Sequence, residues 1–104
     1  MLLNSLTDKV PTPEDVLMMA DGFDLIKKYP EHTVALYRQF LKNWPNHPRR
    51  PGALIKISNL LVDHFKQPEE AVAFLEEAAR GDPRSELVVE AKSMLEKISL
   101  SRMD

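Results

Sequence analysis

The sequence predicts an all-α fold of about five helices, and three observations carry that expectation. Only three Gly occur in 104 residues, which leaves little material for tight turns between strands. Apolar residues recur at helical spacing in five segments separated by prolines. A pattern of small, large and turn residues also repeats 38 residues apart. Val16, Met19, Ala20, Phe23, Thr33, Tyr37, Phe40 and Pro45 reappear as Leu54, Ile57, Ser58, Leu61, Ala71, Leu75, Ala78 and Pro83. Small residues recur where two helices touch, large ones fill the space between them, and proline stops the second helix of each pair. The pattern describes stacked helical hairpins.

Residues 1 to 12 lack periodicity and read as a lead-in ending in Val10-Pro11-Thr12-Pro13, where each proline pushes its predecessor out of helical geometry. Thr12 can cap a first helix with Pro13 at its first position. Glu14 and Asp15 then fall in the first turn, where carboxylates suit the helix dipole. Val16, Met19, Ala20, Phe23 and Ile26 form its apolar stripe, with a stop near Tyr29-Pro30. The second helix spans about Glu31 to Trp44 on Val34, Tyr37, Phe40, Leu41 and Trp44, and Pro45-Asn46-His47-Pro48 breaks it. The third carries Leu54, Ile57, Leu61 and Phe65. The fourth runs from Pro68 to about Arg80 with Ala71, Phe74, Leu75 and Ala78 inward, and ends at Gly81-Asp82-Pro83. A fifth, from about Ser85 to Leu100, places Val88, Ala91, Leu95 and Ile98 on one side and Lys92 where the first and third helices have Ala20 and Ser58. It reads as a cap with a polar outer face. The organisation is thus one domain over 13–101: a first hairpin at 13–45, a second at 51–83 and a capping helix at 84–101.

Composition narrows the function. With no Cys, disulfides, thiolate metal sites and cysteine nucleophiles are excluded. No window approaches 18 apolar residues and Met1-Leu2-Leu3 leads into polar sequence, so neither a membrane span nor a signal peptide is expected; this favours the cytoplasm. His32, His47 and His64 do not pair with other ligand types at helical spacing, so no metal is expected. Asp63-His64 are adjacent residues that a helix directs differently, and Gly-rich phosphate loops and nucleophile elbows are missing, so the chain reads as neither an enzyme nor a cofactor binder. Lys42, Trp44, Arg49, Arg50 and Lys56 make a basic cluster with an aromatic, but the net charge of -2 argues against nucleic acid as the partner. Between His32 and Val62 there are five basic residues and no acid, whereas acids dominate Asp63 to Glu90. That asymmetry suggests either a charged partner or self-association of the basic centre with the acidic C-terminal half.

The repeated pattern resembles the tetratricopeptide repeat family. Its second occurrence fits best, through Leu54, Ile57, Ser58, Leu61, Ala71, Leu75, Ala78 and Pro83, with a turn around His64-Phe65-Lys66-Gln67-Pro68 one residue longer than usual. In the first, Thr33 and Phe40 stand where the family has small residues, which implies a wider gap between those two helices. The stretch from Phe40 to Pro48 is also similar to bacterial cell-envelope proteins of this family.

The resemblance implies a protein-interaction module that binds a peptide or helix of a partner on a concave face built from the first helices of the hairpins. Carried onto this chain, the partner-binding set is Leu17, Asp21 and Asp24 from the first helix with Ile55, Asn59 and Val62 from the third. Glu14, Gly52, Val89 and Ser93 fall beside them. Asp21 and Asp24 would pair with an amphipathic or basic segment, and Asn59 would offer a bidentate amide to its backbone. Leu17 and Ile55 stand where family members that clamp a C-terminal carboxylate carry Lys, which argues against chaperone tails as ligands. Two hairpins and a cap make a short stack, which a dimer partner or further repeats would complete.

Overall fold

A computed structural model describes residues 11–101 and contains five helices and, among those residues, no strand. The helices are α1 (Pro13–Ile26), α2 (Pro30–Asn43), α3 (Arg50–Asp63), α4 (Pro68–Ala79) and α5 (Glu86–Ser101). The lead-in, apart from Pro11 and Thr12, lies outside the described residues. Chain-adjacent helices pack on one another throughout, and α5 also reaches α3. α3 is therefore covered by α2, α4 and α5 and forms the centre of the stack. No described helix is long and apolar enough to cross a membrane.

Prolines start these helices as often as they stop them. Thr12 Oγ1 accepts from the Asp15 backbone N–H at 3.1 Å while Asp15 Oδ2 accepts from Thr12 N–H at 3.3 Å, a complete capping box with Pro13 at the first helical position. α2 likewise begins on Pro30, one residue before the expected start. A proline costs a helix nothing at its first position, because that N–H has no intrahelical acceptor and the ring already holds φ near the helical value. Lys27 and Lys66 turn the two hairpins with left-handed backbones, φ 54° and 56°. The loop before α4 has four residues, His64 to Gln67, against three before α2. Gly81 has no left-handed φ. Its hydrogen side faces Val88, whose Cγ2 would lie 3.1 Å from an added Cβ, so it admits the close return of α5 onto α4.

The core follows the repeated pattern most closely in the second hairpin. Leu54, Ile57, Ser58, Leu61, Ala71, Leu75 and Ala78 are all buried. Ser58 sits at the α3–α4 contact, and its hydroxyl donates to its own Leu54 carbonyl at 2.7 Å, so the small polar side chain leaves no unsatisfied group. Thr33 is tolerated in the first hairpin by the same device, with Oγ1 donating to the Tyr29 carbonyl at 2.8 Å. Phe40 is fully buried against the rings of Trp44 and His47, with centroids 5.9 and 5.2 Å away.

α1 departs from expectation. Met19 and Ile26 are 48% and 57% exposed, and the buried residues are Val16, Leu17 and Ala20. The buried face is rotated towards Leu17 because α1 has extensive packing only on α2 and meets α3 on the Leu17 side, where Leu17 adjoins Ala53 and Gly52. No helix covers the Met19 side. Leu61→Ala, which empties a buried site at the centre of the stack, should cost about 2–5 kcal/mol in urea unfolding. Met19→Ala at low micromolar protein concentration should cost under about 0.5 kcal/mol, and equal losses for the two would contradict this arrangement.

Candidate functional site

Of the six residues expected on a concave face, the structure makes two inaccessible. Leu17 and Ile55 are buried at 2% and 3% exposure and belong to the core, so neither can offer its side chain to a partner. For Ile55 the reason is the central place of α3, which packs against α2, α4 and α5.

Asp21 is occupied from within. The Tyr37 hydroxyl of α2 donates to its Oδ1 at 2.6 Å, Lys56 Nζ of α3 donates to the same oxygen at 2.9 Å, and Arg49 Nη2 donates to Oδ2 at 3.1 Å. Burial alone would raise the carboxyl, but the hydrogen bonds from Tyr37, Lys56 and Arg49, with the Lys56 charge, outweigh it and hold Asp21 below its ordinary 3.8. Burial, and then the bond to Asp21, drive the Tyr37 phenol far above its usual value, so it remains a donor at any working pH. The carboxylate expected to reach a partner instead joins three elements of the fold.

The basic centre is likewise engaged inside the chain. Arg38 of α2 makes a two-pronged pair with Glu70 of α4, one prong at 2.7 Å. Arg50 makes another with Glu77 of α4, one prong at 2.9 Å, and donates to the Leu41 carbonyl near the end of α2 at 2.8 Å. These bonds hold Glu70 and Glu77 below their ordinary 4.5. The charge asymmetry along the sequence is thus an internal complementarity between the α2–α3 region and α4.

The remaining expected residues, Asp24, Asn59 and Val62, border a trough. A cleft of about 330 Å³ between α1 and α3 is lined by Asp24, Lys27, Lys28, Lys56, Asn59 and Asp63 among others. Asn59 and Asp63 also line a cleft of about 210 Å³ between α3 and α5, with Val62, Met94, Lys97 and Ile98. Val62, Asp63, Lys97 and Ile98 continue into a wider depression of about 550 Å³ that reaches Lys66 and Pro68. Shared walls make these one surface, with the exposed Asn59 at the junction of the first two.

Five lysines, at 27, 28, 56, 66 and 97, line the trough against two aspartates, 24 and 63. Asp24 also has Lys27 Nζ 3.6 Å away. The surface is therefore basic, the reverse of the acidic groove expected from Asp21 and Asp24. Lys27 and Lys66, both of which line it, are the two non-glycine residues with left-handed backbones among the described residues, a conformation that costs an ordinary side chain about 1–2 kcal/mol. Sequence reasoning missed these lysines because they stand in turns rather than at helical repeat positions. Asp63 was within reach, one helical turn beyond Asn59.

The histidines are dispersed. His47 Nδ1 accepts from the Arg49 backbone N–H at 3.0 Å, which leaves Nε2 to donate to Glu14 at 3.0 Å. The ring of His64 borders the first cleft next to Asp63 and packs edge-on against Phe65. Among the described residues, no group of three His, Asp or Glu could hold a metal. The trough is lined by amide, ammonium and apolar side chains in series. No family model, curated protein or solved structure matches this chain.

Asp21→Asn keeps an acceptor for Tyr37 but removes the charge facing Lys56 and Arg49, and should cost about 1–3 kcal/mol by chemical denaturation. The pH dependence has a definite sign. The lowered carboxyls of Asp21, Glu70 and Glu77 contribute stability that is complete above their ordinary values, 3.8 to 4.5, and is lost as pH falls through their lower folded values. The melting temperature should therefore fall on acidification below pH 4.5, and less steeply in a Glu70→Gln, Glu77→Gln double variant. An unchanged slope in that variant would remove these pairs from the acid response.

Proposed function

We propose that this chain is a non-catalytic protein-interaction module of the tetratricopeptide type, whose trough receives an extended segment of a partner protein. The observation that carries the reading is the continuity of the trough across α1, α3 and α5, with Asn59 exposed at its centre and lysines along its length. An extended peptide presents a backbone amide once per residue, and an exposed Asn can donate to and accept from one peptide unit together. Val62 and Met94 supply apolar contact beside it, with Met94 adaptable in shape. The lysines select acidic over basic segments by steering and by the cost of apposing like charges. Asp21 contributes to this surface indirectly, by fixing Lys56.

Left-handed backbone at Lys27 and Lys66 supports the same reading. Glycine would relieve the strain, so stability alone would favour it at both turns. The ammonium groups are what a glycine would forfeit.

The test is fluorescence polarisation with labelled unstructured peptides of matched length, acidic and basic. Acidic peptides should bind and basic ones should not. Asn59→Ala and Lys97→Glu should each weaken binding about tenfold while leaving the melting temperature within a few degrees, and added salt should weaken binding further. Binding unaffected by either substitution would place the ligand elsewhere, and no binding by any peptide class would overturn the reading. Lys66→Gly should raise stability by up to about 1 kcal/mol and weaken binding of acidic peptides.

A further inference from the structure

The side of α1 that no helix covers carries most of the exposed large apolar side chains of the described chain. Met18 and Leu25 are 69% and 81% exposed, Met19 and Ile26 are 48% and 57% exposed, and Tyr29 just beyond the helix is 44% exposed. Only Leu87, Val89 and Leu100 are comparable elsewhere among the described residues. Met18 and Leu25 are seven residues apart, as are Met19 and Ile26, so the four form two parallel ridges along one face of the helix. Gly22 lies between the ridges, and a Cβ there would meet nothing within 4 Å. Nothing among the described residues therefore calls for a glycine at this position, where alanine would favour the helix. A glycine flanked by apolar ridges lets a second helix approach closely.

The charges at the two ends of α1 select the occupant. Glu14 and Asp15 stand at its start, and Lys27 and Lys28 follow its end. A second copy of α1 laid antiparallel, with the twofold axis beside Gly22, sets Met18 against Leu25 and Asp15 against Lys28 of the other copy, each pair occurring twice. A parallel arrangement would set acid on acid and lysine on lysine. The face is thus complementary to itself reversed, as an isologous twofold interface requires.

We propose that the protein forms an antiparallel homodimer through the outer face of α1, with Gly22 at the closest approach. The self-association expected from the basic centre and the acidic C-terminal half is a different contact, and Arg38, Arg49, Arg50 and Lys56 of that centre pair with carboxylates of their own chain. None of Met18, Met19, Gly22, Leu25 or Ile26 lines the trough, and only Lys28, at the α1 end of the trough, is shared with it, so the apolar seam of the dimer stands independently of the peptide-binding reading. Bivalent display of two troughs would strengthen binding to a partner that carries two copies of the segment.

Light scattering on the full chain from low micromolar to near-millimolar concentration should show a monomer–dimer equilibrium. Gly22→Arg should raise the dimer dissociation constant at least tenfold without lowering the melting temperature of the monomer. Because the chain has no cysteine, Met18→Cys and Leu25→Cys variants each introduce a single thiol. Oxidised together they should form a disulfide-linked heterodimer, and oxidised separately each should cross-link far less. The proposal is overturned by a monomer at every concentration, which is also what coverage of the face by residues 1–10 or by another protein would give. A dimer indifferent to Gly22→Arg, or cross-linking of each variant to itself as readily as to the other, would overturn it as well.

Discussion

Three helices meet at the Asp21 carboxylate, and the position of α1 depends on that meeting. α1 packs extensively only on α2, so its relation to α3 rests on side chains: Lys56 and Arg49 reach across to Asp21, while Leu17 lines a small cleft together with Ala53 and Gly52. Tyr37 closes the arrangement from α2 with a donated hydrogen bond that its raised pKa keeps in place. A partly buried carboxylate must recover its lost hydration, and three donors from two neighbouring segments do so only when all three elements are docked. The cleft between α1 and α3, and with it one end of the trough, is a consequence of this geometry.

The same logic distributes charge over the rest of the molecule. α4 contributes Glu70 and Glu77 to forked pairs with Arg38 and Arg50, and Arg50 also satisfies the Leu41 carbonyl near the end of α2. Planar guanidinium groups suit such bidentate contacts, whereas the ammonium groups of the turn and trough lysines do not fork in this way. Arginine consequently fastens helices together in this protein, and lysine lines the trough. An overall charge of -2 thus coexists with a basic trough, because Glu70 and Glu77, which fasten α4, do not line it.

Much of the fold was legible in the sequence. The five helices, the proline-marked boundaries, the short hairpin turns and the small contact residues Ala20, Ser58, Ala71 and Ala78 all follow from spacing and from the local chemistry of proline and caps. The candidate site was legible only in part. Asn59, Val62 and Asp24 border the trough, but Leu17 and Ile55 are buried and Asp21 is engaged internally. A helical period gives the angle at which each side chain leaves its helix. It does not give how many neighbours surround that helix, which is three for α3 and nearly one for α1.

By itself the sequence determined the elements, since helix starts, stops and turns depend on interactions between residues a few positions apart: Thr12 with Asp15, proline with its own φ, Ser58 with Leu54. Only the tertiary structure decided which face of α1 is covered, where the charges of the basic centre go, and that the trough is basic. Those outcomes depend on pairs such as Asp21 with Lys56 and Arg50 with Glu77, separated by 35 and 27 residues, whose meeting is fixed by the packing angles of whole helices. No local pattern encodes such an angle, because it emerges from the summed fit of all the side chains between the two helices.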